Sequence, residues 1–193
     1  DWPGGLYLSP GLAGSRSGGL IAATWAAMVT TGRQGYLDAA SGILQTAATI
    51  RTGIDGIDGL QVIGDPKFLI AFMSDSDDID IYLVNDALKE AGWRMNALQL
   101  PAALHFCVTR PNTRPGVAEA FIADLRSAVD YARDIAALDE KLATNYATLD
   151  QLTAREAPEL RAIPGIGPVT AAVILAAWSH PGRVRDEAAF AMW

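Results

Sequence analysis

The sequence has little of several residue types on which common kinds of site depend. Its 193 residues include one cysteine, which excludes an internal disulfide and fits a reducing compartment. No apolar run reaches the ~18–20 residues that a membrane span needs. Positive charge is scarce, because 15 Lys and Arg face 22 Asp and Glu and the net charge is −7. This balance disfavours a main role in binding bulk nucleic acid or anionic membranes, and we expect a cytoplasmic protein.

Side chains for covalent or acid–base catalysis are also few. The lysines are Lys67, Lys89 and Lys141, all in segments predicted to be turns or polar helix faces. His105 lies in a predicted strand and His180 in a Pro/Gly turn, and we interpret both as structural. The sequence therefore predicts no catalytic residue.

Two further candidates for chemistry also have structural explanations. Cys107 lies between Phe106 and Val108, which predicts a buried strand thiol rather than a nucleophile. The acidic segment Ser74–Asp80 lacks the turn glycine and closing Glu of an EF-hand, so we predict a solvated loop that leads into a helix. No metal site is predicted.

A Gly/Ser-rich stretch near the start of the chain is a candidate ligand site. Glycines let backbone N–H groups approach a ligand, and the helix that begins at Gly18 adds a partial positive charge beside Arg16. These features together predict an anion site. The alternative is a flexible connector before a core helix, since short Gly-rich matches are weak signals.

The first part of the chain reads as an α+β layer. Small and apolar residues predict a buried helix from Gly18 to Gly32 and a second helix over Tyr36–Thr52. A hairpin of Leu60–Ile63 with Phe68–Phe72, a helix over Ile79–Ala91, and strands Trp93–Leu98 and Leu104–Thr109 follow. We expect helices packed on one face of an antiparallel sheet. From Pro115 an apolar stripe at intervals of three or four residues predicts one long helix, of the coiled or bundled kind.

The C-terminal part carries a helix-hairpin-helix pattern around Pro164–Pro168. Its glycines permit a tight turn whose N–H groups, with the start of the next helix, face a DNA phosphate. The candidate DNA-binding residues are Gly165, Ile166, Gly167, Val169 and Thr170. Such contacts give non-specific affinity. The alternative is a hairpin that only packs two helices, because from Gln151 onward four Arg are balanced by four acidic residues.

The first two thirds of the chain resembles the sphingosine-1-phosphate lyases, within the group II pyridoxal-phosphate (PLP) decarboxylase family. The motifs that carry the resemblance are Asp1-Trp2-Pro3-Gly4-Gly5-Leu6-Tyr7, Ser9-Pro10, Ala13-Gly14-Ser15-Arg16, Gly18-Gly19, Gly35-Tyr36, Gly92-Trp93, Asn96-Ala97-Leu98-Gln99 and His105-Phe106-Cys107-Val108-Thr109. The resemblance implies the small C-terminal domain of a fold-type-I PLP enzyme that forms a homodimer.

The resemblance also assigns the candidate site. It implies that Ser15 and Arg16 contact the cofactor phosphate of a neighbouring subunit, while Gly14 and Gly18 give the backbone room. Ser17 replaces a residue that is often Pro in the family. The Schiff-base Lys of the family lies before the motif that opens this chain. We therefore expect an inactive fragment, cut at both ends, that binds no PLP alone.

The final ~55 residues resemble a second family, the insertion-sequence transposases that join an RNase-H-like nuclease domain to a helix-hairpin-helix domain. We expect a lyase-like region over residues 1–133 and a helical, transposase-like region over residues 134–193. The sequence predicts a lyase or decarboxylase fragment fused to a transposase-like tail, and whether the chain itself is an enzyme stays open. The alternatives are a DNA-binding module and a fused reading frame without selected function.

Overall fold

The computed structural model describes Gly14 and residues 16–178. It contains α1 (Gly18–Asp55), β1 (Leu60–Val62), β2 (Leu69–Ser74), α2 (Ile81–Glu90), β3 (Asn96–Gln99), β4 (Ala102–Cys107), a 3₁₀ turn (Arg110–Thr113), α3 (Val117–Glu156), α4 (Pro158–Arg161) and α5 (Pro168–Trp178). The predicted α+β class, with a long helix and a helical tail, is confirmed.

The strands form one antiparallel four-stranded sheet in the order β1-β2-β4-β3. The predicted hairpin is confirmed, with Leu60 paired to Ser74 and Val62 to Phe72. Residues that alternate along β2 and β4, such as Ile70, Phe72 and Leu104, are fully buried, because α1, α2 and α3 cover this face. The sheet therefore has one covered face.

The core beneath the sheet is built on aromatic rings. Phe106 of β4 stacks on Phe121 of α3 with 4.8 Å between ring centroids, and Trp93 meets Phe121 edge-on at 5.1 Å. The Trp93 indole N–H donates to Asp124 at 2.7 Å, which satisfies its polar atom. Trp93 was predicted to begin a strand, but β3 begins at Asn96.

The sequence predicts a helix that ends at Gly32 and a second helix after it, and this break is confirmed. Within Gly18–Asp55 the backbone is non-helical at Gly32 (φ 61°, ψ 171°), so α1 consists of two helical halves. The second half ends at Asp55 rather than at the predicted Thr52. The predicted burial of the first half is wrong: Trp25 is 66% exposed and Leu20 72%. Among the described residues, the covering elements reach only the second half, where Ala47, Ile50 and Ile54 are buried.

The prediction of a buried thiol at Cys107 was also wrong, since Cys107 is exposed. Side chains alternate across a strand, so the burial of Phe106 puts its neighbour Cys107 on the opposite, uncovered face. His105 lies on that same face opposite Ala71, half-buried, and its Nδ1 atom has no hydrogen-bond partner among the described residues. His180 lies outside the described residues.

The long helix α3 is confirmed over 40 residues and joins two packed regions. Its first turns bury Phe121, Leu125 and Val129 in the core under the sheet. Its last turns carry the hairpin of α4 and α5, where Thr153 and Ala171 are buried. Between them, apolar side chains such as Leu142 are exposed.

Candidate functional site

The Gly/Ser-rich loop leads directly into the N-terminus of α1. Ser17 occupies the capping position in an extended conformation (φ −64°, ψ 125°), and its carbonyl accepts from the Ile21 N–H at 3.3 Å. No side chain caps the helix, and its first turn holds no acidic residue. The partial positive charge of the helix end is therefore not neutralised within the first turn.

The predicted site residues around this helix end are exposed among the described residues. A Cβ added to Gly14 or Gly18 would meet no heavy atom of these residues within 4 Å, and Arg16 is exposed. Ser15 lies outside the described residues. The structure thus places Gly14, Arg16 and Gly18 in sequence around one exposed helix end.

The lysines lie on other elements. Lys67 sits in the turn between β1 and β2, where its ammonium contacts Asp65 at 3.0 Å. Lys89 is in the last turn of α2, and Lys141 lies in the exposed middle of α3. All three lysines therefore lie on elements other than the loop and the first turn of α1.

The second predicted site is a tight hairpin. Gly165 has φ 89°, a left-handed conformation that favours glycine, and Ala171 N donates to the Gly167 carbonyl at 3.0 Å to begin α5. A Cβ at Gly165 or Gly167 would meet no heavy atom of the described residues within 4 Å. Val169 is 52% exposed, Thr170 is exposed and Ile166 is half-buried. The predicted residues therefore lie together along one turn and the first residues of α5.

Ion pairs engage the arginines next to this hairpin. Arg161 contacts the carboxylate of Asp150 and donates from Nη1 to the Ile166 carbonyl at 2.9 Å. Arg155 contacts Glu156 at 2.7 Å. These are the basic residues between Gln151 and Trp178. Arg161 thus holds the hairpin against α3. Because both arginines are paired with acidic residues, this region offers little unpaired positive charge, as its composition predicts.

The first half of α1 is the element whose burial the sequence predicts wrongly. From Gly18 to Gly32 the helix carries no charged residue, yet its apolar side chains are exposed. Those exposed by more than half are Leu20, Ile21, Trp25, Met28 and Val29. The absence of charge predicted burial, but nothing in the described part of this chain covers the surface.

The described residues contain neither a candidate metal site nor a helix that could span a membrane. No group of three or more His, Cys, Asp or Glu side chains lies close enough together to hold a metal ion. Within the same part of the chain, no helix is both long and apolar enough to cross a membrane.

Comparison with known proteins confirms both resemblances. The sphingosine-1-phosphate lyase of Drosophila melanogaster is 48% identical over 127 residues, which cover 66% of this chain and 23% of that protein. The Dictyostelium discoideum lyase is 44% identical over 135 residues, covering 69% of this chain and 24% of that protein. The chain therefore spans about a quarter of the length of these relatives.

One solved structure and one family model match the same two families. The Burkholderia pseudomallei sphingosine-1-phosphate lyase structure matches 75% of this chain and 32% of its own, with 53% identity and a TM-score of 0.63. The model of the IS116/IS110/IS902 transposase family matches residues 157–193, part of which lies outside the described residues.

Proposed function

We propose that residues up to about 133 serve as the C-terminal part of a PLP-dependent carbon–carbon lyase, and that residues 134–193 are a transposase-like tail. The parent reaction is retro-aldol cleavage of a phosphorylated long-chain amino alcohol, or decarboxylation of an amino acid. The observation that carries the proposal is the exposed, uncapped start of α1, within a region matched by a solved lyase at 53% identity.

In this proposal the loop holds the phosphate of a cofactor bound mainly by a neighbouring subunit. Arg16 supplies a full positive charge, Ser15 a hydroxyl donor, and the uncapped start of α1 free N–H groups. The open space around Gly14 and Gly18 gives a phosphate room to approach. PLP, when bound, supplies the electron sink of the parent reaction.

We further propose that the chain is inactive alone, because it has no lysine placed to bind PLP covalently. Lys67 is held by Asp65, and Lys89 and Lys141 lie on α2 and α3. The test is to add PLP to the purified chain, reduce with borohydride and measure stoichiometric labelling by mass spectrometry. We expect none. Labelling that disappears in Lys67→Met, Lys89→Met or Lys141→Met would overturn this part.

A graft tests the phosphate role separately. Residues 1–133 of this chain replace the matching segment of the Burkholderia pseudomallei lyase, which supplies the rest of the site. We expect a PLP-binding lyase whose affinity for PLP falls at least tenfold with Arg16→Ala. Arg33→Ala, which removes the same charge from the other end of this half of α1, is the matched control. Equal effects of the two changes would contradict the role of Arg16.

A second candidate function is DNA contact by the tail. The hairpin geometry and the transposase match at residues 157–193 favour it, while the paired arginines oppose it. Here duplex DNA binding should fall with rising salt and weaken with Gly165→Glu or Gly167→Glu. Ser127→Glu, on the lyase-like part of α3, is the control. Binding that ignores both glycine changes would exclude this function.

A further inference from the structure

The break in α1 has a backbone conformation that requires glycine. Gly32 has φ 61° and ψ 171°, whereas helical residues lie near about −63° and about −42°. The angles of Gly32 are open essentially to glycine alone. A Cβ at Gly32 would meet no heavy atom of the described residues within 4 Å. Glycine is therefore required here by the backbone angles and not by a lack of space.

Gly35, three residues later, accommodates the same bend in a different way. A Cβ on Gly35 would lie 3.8 Å from Cβ of Thr31 and 2.9 Å from its Cγ2. In a regular helix, Cβ atoms four residues apart are separated by about 5–6 Å. The bend thus brings Thr31 and position 35 closer together than a regular helix does. Glycine at position 35 leaves room for the Thr31 side chain, so two glycines fit one bend for two separate reasons.

The two halves of α1 on either side of this bend are held very differently. Gly14 and residues 16–30 are all exposed. In the second half Ala47, Ile50 and Ile54 are buried in the core under the sheet. Since no described residue covers the first half, its direction relative to the sheet is set by the backbone at the bend.

We propose that Gly32 and Gly35 are positioning residues, which set the direction of the first half of α1 and thereby the place of Arg16. The inference about Arg16 rests on the proposed function, in which the loop holds a cofactor phosphate. The inference about the bend does not depend on that function.

The length of the first half makes the place of Arg16 sensitive to the bend. From Gly18 to Gly32 the helix rises by about 21 Å. Straightening a kink of about 20°, the smallest that counts as sharp, would move the far end of this half by about 7 Å. A bond from an arginine to a phosphate oxygen spans only about 2.7–2.9 Å. Loss of the bend would therefore take Arg16 out of reach of a phosphate that it contacts in the bent helix.

Spin labels measure the bend in the whole chain. In a Cys107→Ser background, Ala22→Cys and Gln45→Cys place labels at exposed positions of the two halves. An unbroken helix would separate the Cα atoms of these positions by about 35 Å. By pulsed electron spin resonance we expect a shorter distance in the parent chain. In Gly32→Ala the distance should increase towards that of the unbroken helix, because alanine favours helical angles.

Gly42→Ala is the control for the label distance. It lies in the buried half of the same helix, where an added Cβ makes an ordinary 3.6 Å contact with Thr113. This change should leave the distance as it is in the parent chain. Equal distances in the parent chain and in Gly32→Ala would overturn the bend as the reason for Gly32.

The role of Gly35 is tested by a clash and its relief. Gly35→Ala should also lengthen the label distance, because its Cβ meets Cγ2 of Thr31 in the bent helix and a β-branched side chain has few other rotamers. Adding Thr31→Ala removes that methyl group and should restore the shorter distance. A distance that stays long in the double variant would contradict this role of Gly35.

The graft into the Burkholderia pseudomallei lyase tests the consequence for Arg16. Gly32→Ala should lower the affinity of the graft for PLP at least tenfold. In an Arg16→Ala graft the same change should lower it less than twofold, because the contact that the bend positions is already absent. Gly42→Ala should leave the affinity of both grafts unchanged. Losses that multiply independently would show that Gly32 does not act through Arg16 and would overturn its positioning role.

Failure of the bend and failure of the proposed function give different results. An unchanged label distance in Gly32→Ala would overturn the bend and leave the phosphate role of the loop intact. An Arg16→Ala graft with full affinity for PLP would contradict the proposed function, and with it the positioning of Arg16, while the label distance still reports the bend.

Discussion

At the scale of single residues, Gly53 shows how closely α1 approaches α3. A Cβ on Gly53 would stand 2.4 Å from Cδ1 and 2.5 Å from Cγ1 of Ile122, closer than side chains tolerate. We expect Gly53→Ala to lower the free energy of unfolding by about 1 kcal/mol, because overpacking exceeds the gain in helix propensity. Urea denaturation of the whole chain measures this change.

Gly42 offers a matched control in the same helix. A Cβ there would lie 3.6 Å from Cγ2 of Thr113, an ordinary contact. Gly42→Ala should therefore raise the free energy of unfolding by about 0.5–1 kcal/mol through helix propensity alone. Changes of the same sign at Gly42 and Gly53 would contradict the close approach to Ile122.

A second prediction at this scale concerns Asp65. Hydrogen bonds from Lys67, at 3.0 Å, and from Arg51, at 2.6 Å, hold the pKa of Asp65 below its usual value of 3.8. Because the folded-state pKa is depressed, the ionised carboxylate stabilises the fold above the unfolded pKa. That contribution is lost as the pH falls through the folded pKa, below about 4.

Carbon NMR of the Asp65 carboxyl group, titrated from pH 6 downward, measures this pKa. It should lie below 3.8 and rise towards that value in Lys67→Met. Lys89→Met, on α2, removes the same charge elsewhere and should leave the pKa of Asp65 unchanged. Because Asp65 is fully exposed, salt should weaken the effect of Lys67→Met. A pKa that does not move in Lys67→Met would contradict the assignment.

At the scale of elements, the acidic loop before α2 supplies the carboxylate that caps this helix. Asp80 caps the helix, with its Oδ1 accepting from the Tyr82 N–H at 2.8 Å. Asp80→Ala should cost about 1 kcal/mol of unfolding free energy, and Asp80→Asn much less, because Asn caps nearly as well. Asp77→Ala removes the same charge from the loop and is the control. An equal loss in Asp77→Ala would mean that charge, not capping, matters.

The elements that the sequence predicts correctly are those determined by residues that lie close together in the sequence. The β1–β2 hairpin is bounded by Asp65-Pro66, and α2 has its cap and its apolar residues at helical spacing. Prediction failed where burial depends on distant parts of the molecule. The alanine-rich first half of α1 was expected to be covered, but no described residue covers it. At Cys107 the strand alternation that buries Phe106 already contained the correct answer.

The candidate site was predictable in part for the same reason. Glycines and serines that interrupt an apolar pattern predict the start of α1, which begins at Gly18, two residues after Arg16. What faces that loop was not predictable, because no neighbouring residue in sequence determines it. The hairpin at Gly165 followed from its two glycines, whereas the pairing of Arg161 with Asp150 needed the structure.

At the scale of the whole molecule, α3 connects two cores that share no side chain among the described residues. Phe121 belongs to the core under the sheet, together with Trp93 and Phe106. Ala171 belongs to the contact of α5 with the end of α3. The exposed turns between these regions give the two cores little means of stabilising each other. We propose that residues up to about 133 and residues from about 134 onward unfold independently.

Substitutions in each core test this independence. Phe121→Ala should destabilise the sheet region by about 3–5 kcal/mol through the cavity it leaves, and Ala171→Leu should destabilise the hairpin by about 1–3 kcal/mol through overpacking. Hydrogen exchange followed by mass spectrometry reports on each region separately. In Phe121→Ala, amides of β2 and β4 should lose protection while those of α5 keep theirs, and Ala171→Leu should do the reverse. Joint loss in either variant would show that α3 transmits stability along its exposed turns and that the chain folds as one unit.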